Sequence, residues 1–164
     1  FFNMTDGKLC GVEFDGSWDW VLRGIENYSR YIFDGFMMPW EQYFDCGFIL
    51  VNKTHRQFFQ DIVNFYFTYQ DNLIKLQQTF YNGTDQTPVN MLVHRNNIDL
   101  KLLPYEFNMN DMNRKEILSD DMLFTKCGWI YQYNAIPNNE ENRLTNHFMK
   151  KTHEHFYGEL IENK

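Results

Sequence analysis

This sequence predicts an α/β fold, a mixed sheet flanked by helices, on three observations. Short apolar runs bounded by turn residues recur at 9–14, 44–51, 98–103 and 127–133, with the length and punctuation of strands. Between and after them lie longer stretches whose apolar residues fall at helical spacing. Hydrophobic residues make up 43% and aromatic residues 18% of the 164, enough for a packed core in one domain over 1–164.

The stretch Tyr43-Phe44-Asp45-Cys46-Gly47-Phe48-Ile49-Leu50-Val51-Asn52 is the centre of the prediction. Its second half is continuously apolar, the pattern of a strand buried on both faces, which places 44–51 near the middle of the sheet. Its first half carries an acid, a thiol and a glycine. Gly47 has no Cβ, so a ligand can approach the backbone there, and polar residues at one end of a buried strand can floor a pocket.

The other elements follow in order. Ser17 caps a helix whose stripe is Trp18, Val21, Leu22, Ile25, Tyr28 and Ile32, and Trp18 and Trp20 are expected in the core. Thr54 and Gln57 have capping-box spacing ahead of a helix burying Phe58, Phe59, Ile62, Val63 and Tyr66. Residues 71–80 fit a second helix or a long loop. Thr87 caps a further helix with Pro88 in its first turn and Val89, Leu92 and Val93 on its apolar side. Asp85 and Gln86 then lie in the turn before it, and Asn90 sits one turn in, on a face that looks back toward that turn. Residues 107–121 are polar loop with one short helix. The terminal helix, from 143 onward, carries Leu144, Phe148, Phe156 and Leu160 on one side, with Arg143, Lys150 and Lys151 solvated. His153 and His155 are two apart, so on a helix they do not face each other and form no metal pair.

Net charge is −7 and the pI about 5.1, which argues against nucleic acid as the principal partner. A small anion needs only a few cations and remains open. The three cysteines, Cys10, Cys46 and Cys127, are scattered and form no C-x-x-C pair, which suggests neither zinc nor a disulfide framework and fits a reducing, cytoplasmic compartment. Asn3, Asn27, Asn52 and Asn82 each open an N-x-S/T triplet. No apolar run reaches the length of a membrane span.

Four segments carry a resemblance, over Phe44 to Asn138: Phe44 to Asn52, Thr84-Asp85-Gln86-Thr87-Pro88-Val89-Asn90, Leu103-Pro104-Tyr105-Glu106-Phe107-Asn108, and Ile130-Tyr131-Gln132-Tyr133-Asn134-Ala135. In this order they resemble the glycogenin-like and bacterial lipopolysaccharide-galactosyltransferase-like family of GT-A glycosyltransferases. That family reads F-N-A-G-hydrophobic-N, D-Q-x-x-x-N, L-P-x-x-W-N and H-F-x-G-x-x-K. The resemblance spans a little over half the chain.

The resemblance implies a retaining hexosyltransferase that takes its sugar from a nucleotide-diphosphate donor and passes it to a glycan, lipid or protein acceptor. It implies that Asp85 and Gln86 are the catalytic pair, the amide lying near the anomeric carbon. Asp45, where Asn is usual, belongs with Cys46 and Gly47 to the sugar-binding strand; Asn90, Asn134 and Arg143 are further substrate-binding positions, Arg143 standing in for a phosphate-binding Lys. It also implies a divalent metal, Mn2+ or Mg2+, held by a D-x-D and a His. Here Gln132 stands at the His position, Ala135 at a Gly and Asn138 at the Lys, and no D-x-D occurs in the 164 residues. The expectation is therefore the C-terminal portion of a GT-A domain. The natural protein should carry the nucleotide-binding half and an acidic pair within roughly fifteen residues upstream of Phe1. These residues alone should transfer no sugar. The alternative is a non-catalytic carbohydrate-binding or scaffold relative that has lost metal binding.

Overall fold

A computed structural model describes residues 2–14, 16, 18–110, 122–133 and 144–158. Its elements are β1 (Leu9–Glu13), α1 (Trp18–Tyr31), β2 (Phe44–Leu50), α2 (Arg56–Phe80), α3 (Gln86–Arg95), β3 (Leu100–Leu103) and α4 (Leu144–Tyr157). The chain falls into two compact units, 1–104 and 105–164, each described by itself.

The first unit is α/β, a small three-stranded mixed sheet flanked by helices. The strand order is β2-β1-β3, with β1 antiparallel to β2 and parallel to β3. This corrects one expectation: β1, and not the longer run at 44–51, is the central strand. β1 is short, but Leu9, Cys10 and Val12 are wholly buried, whereas Phe48 and Ile49 of β2 are only half-buried. The apolar run of β2 has one flank in the ladder and packs mainly by one face, a difference that hydrophobicity alone does not encode. Gly11 permits the close packing at the centre, because a methyl group there would overlap the Phe44 ring.

The helices close over this sheet. Val21, Ile25 and Tyr28 of α1 are buried as the stripe predicts, and they share a core with Phe58, Ile62, Phe65, Leu73 and Leu76 of α2 and Met91, Leu92 and Val93 of α3. Trp18 and Leu22 depart from the stripe: Leu22 is exposed, and Trp18 is 37% exposed and meets the exposed Trp40 edge to face. The capping box before α2 is made by Asn52 and His55 rather than Thr54 and Gln57. Asn52 Oδ1 accepts the Thr54 N–H at 2.8 Å, and His55 Nδ1 accepts the Asn52 N–H at 3.2 Å. The ambiguous stretch 71–80 is helix, the direct continuation of α2, whose face buries Phe65 in place of the expected Val63.

In the second unit the strand expected at 127–133 does not form: a turn of 3-10 helix at Leu123–Lys126 precedes it, and 127–133 is turn and bend with a single parallel bridge, Met109 to Tyr131. Met109, Met122 and Phe124 form its small core. α4 forms as expected, but Phe156 is exposed. Leu160 and most of the predicted loop 107–121 lie outside the described residues. No helix among the described residues is long and apolar enough to cross a membrane.

Two outcomes follow. Gly11→Ala should lower stability by about 1–3 kcal/mol through overpacking against Phe44, read as a drop in the urea midpoint without change of slope. The second concerns His94 in the last turn of α3. Its Nε2 is buried with no hydrogen-bond partner among the described residues. Burial holds its pKa below the ordinary 6.5, opposed by a backbone hydrogen bond at Gln42. The unfolded chain therefore binds the proton more readily, so this contribution to stability is full above pH 6.5 and is lost as pH falls through the window below it. Denaturation midpoints measured from pH 7.5 to 5 should fall on the acid side, and His94→Gln should flatten that fall.

Candidate functional site

α3 starts two residues earlier than the Thr87 cap predicts. Asp85 occupies the cap position without a side-chain capping bond, and Gln86 is the first helical residue. Thr87 is instead buried, with its hydroxyl 2.8 Å from the Tyr43 hydroxyl. Pro88 still lies in the first turn, where its missing N–H costs nothing.

One turn into α3, the fully buried Asn90 reaches across to the start of β2. Its Oδ1 accepts the Phe44 N–H at 2.9 Å, and its Nδ2 donates to the Phe44 carbonyl at 2.9 Å. The same Nδ2 donates to the Gln86 carbonyl at 3.0 Å. Both backbone groups of an antiparallel-strand residue point to the same side. The Asn90 amide therefore satisfies Phe44 on the flank of β2 that faces away from β1, as a neighbouring strand would.

Immediately after Asp45 the strand leaves its register. Val12 pairs with Asp45 but Gly11 pairs with Ile49, so Cys46, Gly47 and Phe48 have no place in the ladder. Such bulges re-aim backbone and side chains. The buried Asp45 closes this one: its Oδ1 accepts the Gly47 N–H at 2.6 Å. Gly47 itself is exposed. Cys46 Sγ lies 3.9 Å from the Gln86 carbonyl and 3.9 Å from Asn90 Nδ2. The bulge of β2 and the start of α3 thus lie against each other.

The turn leading into α3 is held from two more sides. Tyr28 of α1 donates its hydroxyl to the Gly83 carbonyl at 2.6 Å, and Tyr66 of α2 donates to the Asp85 carbonyl at 3.2 Å. Asn27 Nδ2 donates to Asn82 Oδ1 at 2.8 Å. Gly24 lets α1 come this close, since a methyl group there would sit 3.0 Å from Thr87 Oγ1. The Asp85 carboxylate lies over Gly83 beside the Trp20 ring, and Asp85 remains exposed.

Burial raises the pKa of Tyr28, Tyr43 and Tyr66, and the negative charge of Asp85 adds to each shift. All three therefore stay protonated at neutral pH and keep their hydrogen-bonding role. Burial, then the charges of Asp45 and Asp85, push the Cys46 thiol up as well. A thiol so raised is no nucleophile. The chemistry on offer is an exposed carboxylate, a half-buried amide at Gln86 and open backbone at Gly47, a polar set suited to hydroxyl groups.

Asp45, Cys46, Gly47, Asp85, Gln86 and Asn90 are thus brought together within the first unit. Two of them differ in role from the expectation. The Asn90 amide is spent on backbone, so it positions the site rather than contacting a substrate. Asp45 shapes the bulge. Gln132 belongs to the second unit, where its Oε1 accepts the Asn108 Nδ2 at 2.9 Å. Asn134 and Arg143 lie outside the described residues. Sequence reasoning missed the three tyrosine hydroxyls and the Asn27–Asn82 pair. A signal was present, because Tyr in place of Phe on a core stripe asks for a hydroxyl partner. A cavity of about 340 Å3 runs along α2 between Tyr66, Leu73 and Thr84, beside the site rather than in it.

The described residues do not fit a metal. No three His, Cys, Asp or Glu side chains among them gather where an ion could be held, and the oxygen of Gln132 is already engaged by Asn108. No family profile, no curated protein and no solved structure matches this chain at a significant level.

The geometry makes Asn90 the residue to remove. Asn90→Ala leaves the Phe44 N–H and C=O buried without their partner and should cost about 2–4 kcal/mol. Thr87→Val, which loses one neutral hydroxyl pair, should cost about 1 kcal/mol in the same urea titration.

Proposed function

We propose that this chain is the sugar-binding portion of a GT-A glycosyltransferase, transferring a hexose from a nucleotide-diphosphate donor. The observation that carries the reading is the meeting of two segments some forty residues apart, the Asp45–Gly47 bulge and the Asp85–Gln86 helix start, through Asn90. A second pair of motif segments also meets, by the Asn108–Gln132 hydrogen bond and the Met109–Tyr131 bridge in the second unit.

On this reading Asp85 accepts hydrogen bonds from two donor-sugar hydroxyls, and the Gln86 amide faces the anomeric carbon. Gly47 lets the sugar lie close to the strand. Catalysis then rests on orientation, because the sugar is held while the leaving phosphate departs. A divalent metal, when bound, would neutralise the leaving diphosphate, while the bulge of β2 and the start of α3 would hold the sugar.

The second reading is a non-catalytic carbohydrate-binding or scaffold relative. It is favoured by Gln132, a weak neutral ligand where a metal-binding His would stand, whose oxygen is engaged by Asn108.

The test uses the full natural polypeptide with UDP-glucose and UDP-galactose, with and without manganese. The transferase reading predicts metal-dependent donor binding and donor turnover. Asp85→Asn and Gln86→Ala should each lower turnover about a hundredfold while the fold is retained. Donor binding without metal dependence and without turnover selects the non-catalytic reading. No binding of either donor, or turnover indifferent to both substitutions, contradicts the assignment of the site.

A further inference from the structure

The second unit carries a cavity that the transferase reading does not use. The segment carrying Trp129 and Tyr131, which line it, is held by a short backbone frame: Met109 N–H donates to the Ile130 carbonyl at 2.9 Å, Gln132 N–H to the Met109 carbonyl at 2.9 Å, and Trp129 N–H to the Glu106 carbonyl at 2.8 Å. This frame holds Trp129 with 67% of its surface exposed and its ring parallel to that of Phe107. An exposed tryptophan on a hydrogen-bonded frame is pre-organised, so little side-chain freedom is lost when something stacks on it. Gly128 is needed beside it, because a methyl group there would overlap Met109 and Tyr131.

α4 supplies the facing wall. Phe156 stacks on Tyr131 at 18° between ring planes, and Thr152 accepts a hydrogen bond from the Tyr133 hydroxyl and passes its own to the Phe148 carbonyl at 2.8 Å. Between them lies a cavity of about 550 Å3, within the ~300–1,000 Å3 of small-molecule sites. Trp129, Tyr131, Tyr133, Phe156 and Tyr157 give it aromatic faces, and Thr125, Thr152 and His153 give it polar edges.

The chemistry of the lining selects the occupant. Among the described residues that line it there is no carboxylate, ammonium or guanidinium, so none of these side chains carries a permanent charge to offset that of a phosphate or a carboxylate. Burial holds the Tyr131 and Tyr133 phenols above their ordinary pKa, so they too stay neutral. An acyl chain would cover the aromatic faces but leave the His153 imidazole facing hydrocarbon, which costs free energy. A sugar ring has both surfaces required: apolar C–H faces that lie flat on aromatic rings, and a rim of neutral hydroxyls that donate and accept.

We propose that this cavity binds a neutral saccharide. The proposal needs no chemistry at Asp85 and stands or falls independently of the transferase reading.

The test titrates the full chain by calorimetry with cellobiose, lactose and maltotriose. Saturable binding in the millimolar range is expected for at least one. Trp129→Ala should weaken it about tenfold, with an unchanged circular dichroism spectrum because the side chain is exposed. Thr152→Val should weaken it as well. A parallel arm measures binding to phosphatidylcholine vesicles. Absence of saturable binding to all three sugars overturns the proposal. So does sugar binding that Trp129→Ala leaves intact, which places the sugar elsewhere. Vesicle binding lost in Trp129→Ala without any sugar signal assigns the cavity to an acyl chain and likewise overturns it.

Discussion

Asn90 is the constraint on which the first unit's polar face depends. A carboxamide has one acceptor and two N–H donors in a plane, the pattern a peptide group presents. Placed one turn into α3, it can serve as the missing neighbour of a strand residue, and its Oδ1 and Nδ2 do this for both groups of Phe44 at 2.9 Å. Its bond to the Gln86 carbonyl at 3.0 Å ties the same amide to the first residue of its own helix. One side chain therefore fixes the position of a helix start relative to a strand start. An aspartate there would be a buried charge without a donor for the Phe44 carbonyl, and a leucine would offer no partner at all.

What Asn90 joins, the tyrosines stiffen. Tyr28 from α1 and Tyr66 from α2 end on the carbonyls of Gly83 and Asp85, while Tyr43 ends on Thr87. Each ring contributes apolar area to the core and its hydroxyl to the turn, so packing and polar satisfaction are achieved by the same residues. The Asp85 charge raises the pKa of all three phenols in addition to burial. Proximity to the carboxylate thus favours the neutral, donating form of the clamp. On the other side, the bulge at Cys46–Phe48 takes three residues out of the ladder and leaves Gly47 exposed. An exposed acidic turn held by three tyrosines, next to a bulge that leaves Gly47 exposed, is the physical content of the candidate site.

Much of this was legible in the sequence, and the failures have physical causes. Strands at Leu9–Glu13 and Leu100–Leu103 and a helix beginning at Trp18 follow from apolar period and turn residues. The pairing of the Asp45 and Asp85 segments followed only from a motif order, because no local pattern encodes contact across forty residues. The sheet centre was misplaced because burial of β1 is achieved with Cys and Gly, which carry little hydrophobic signal, while the apolar run of β2 lies at one side of the sheet. Asn90 was assigned to a ligand because its facing was right; that backbone would consume its amide depends on a register the sequence does not contain. Trp18 sits on the helical stripe but at its first position, beyond the reach of the core, where its neighbour is Trp40. At 127–133 aromatic alternation suggested a strand, but with one bridge to Met109 there is no ladder to extend it.

The most direct test of the account is the state of the Asn90 side-chain amide in solution. In a nuclear magnetic resonance spectrum of the intact chain, its two NH2 protons should exchange slowly with water and show nuclear Overhauser contacts to Phe44 and to the first turn of α3. The Phe44 backbone N–H should be protected to the same degree as the amides of β1. An Asn90 NH2 that exchanges at the rate of a solvated amide, with no contact to Phe44, would contradict the joining of the two segments and with it the candidate site.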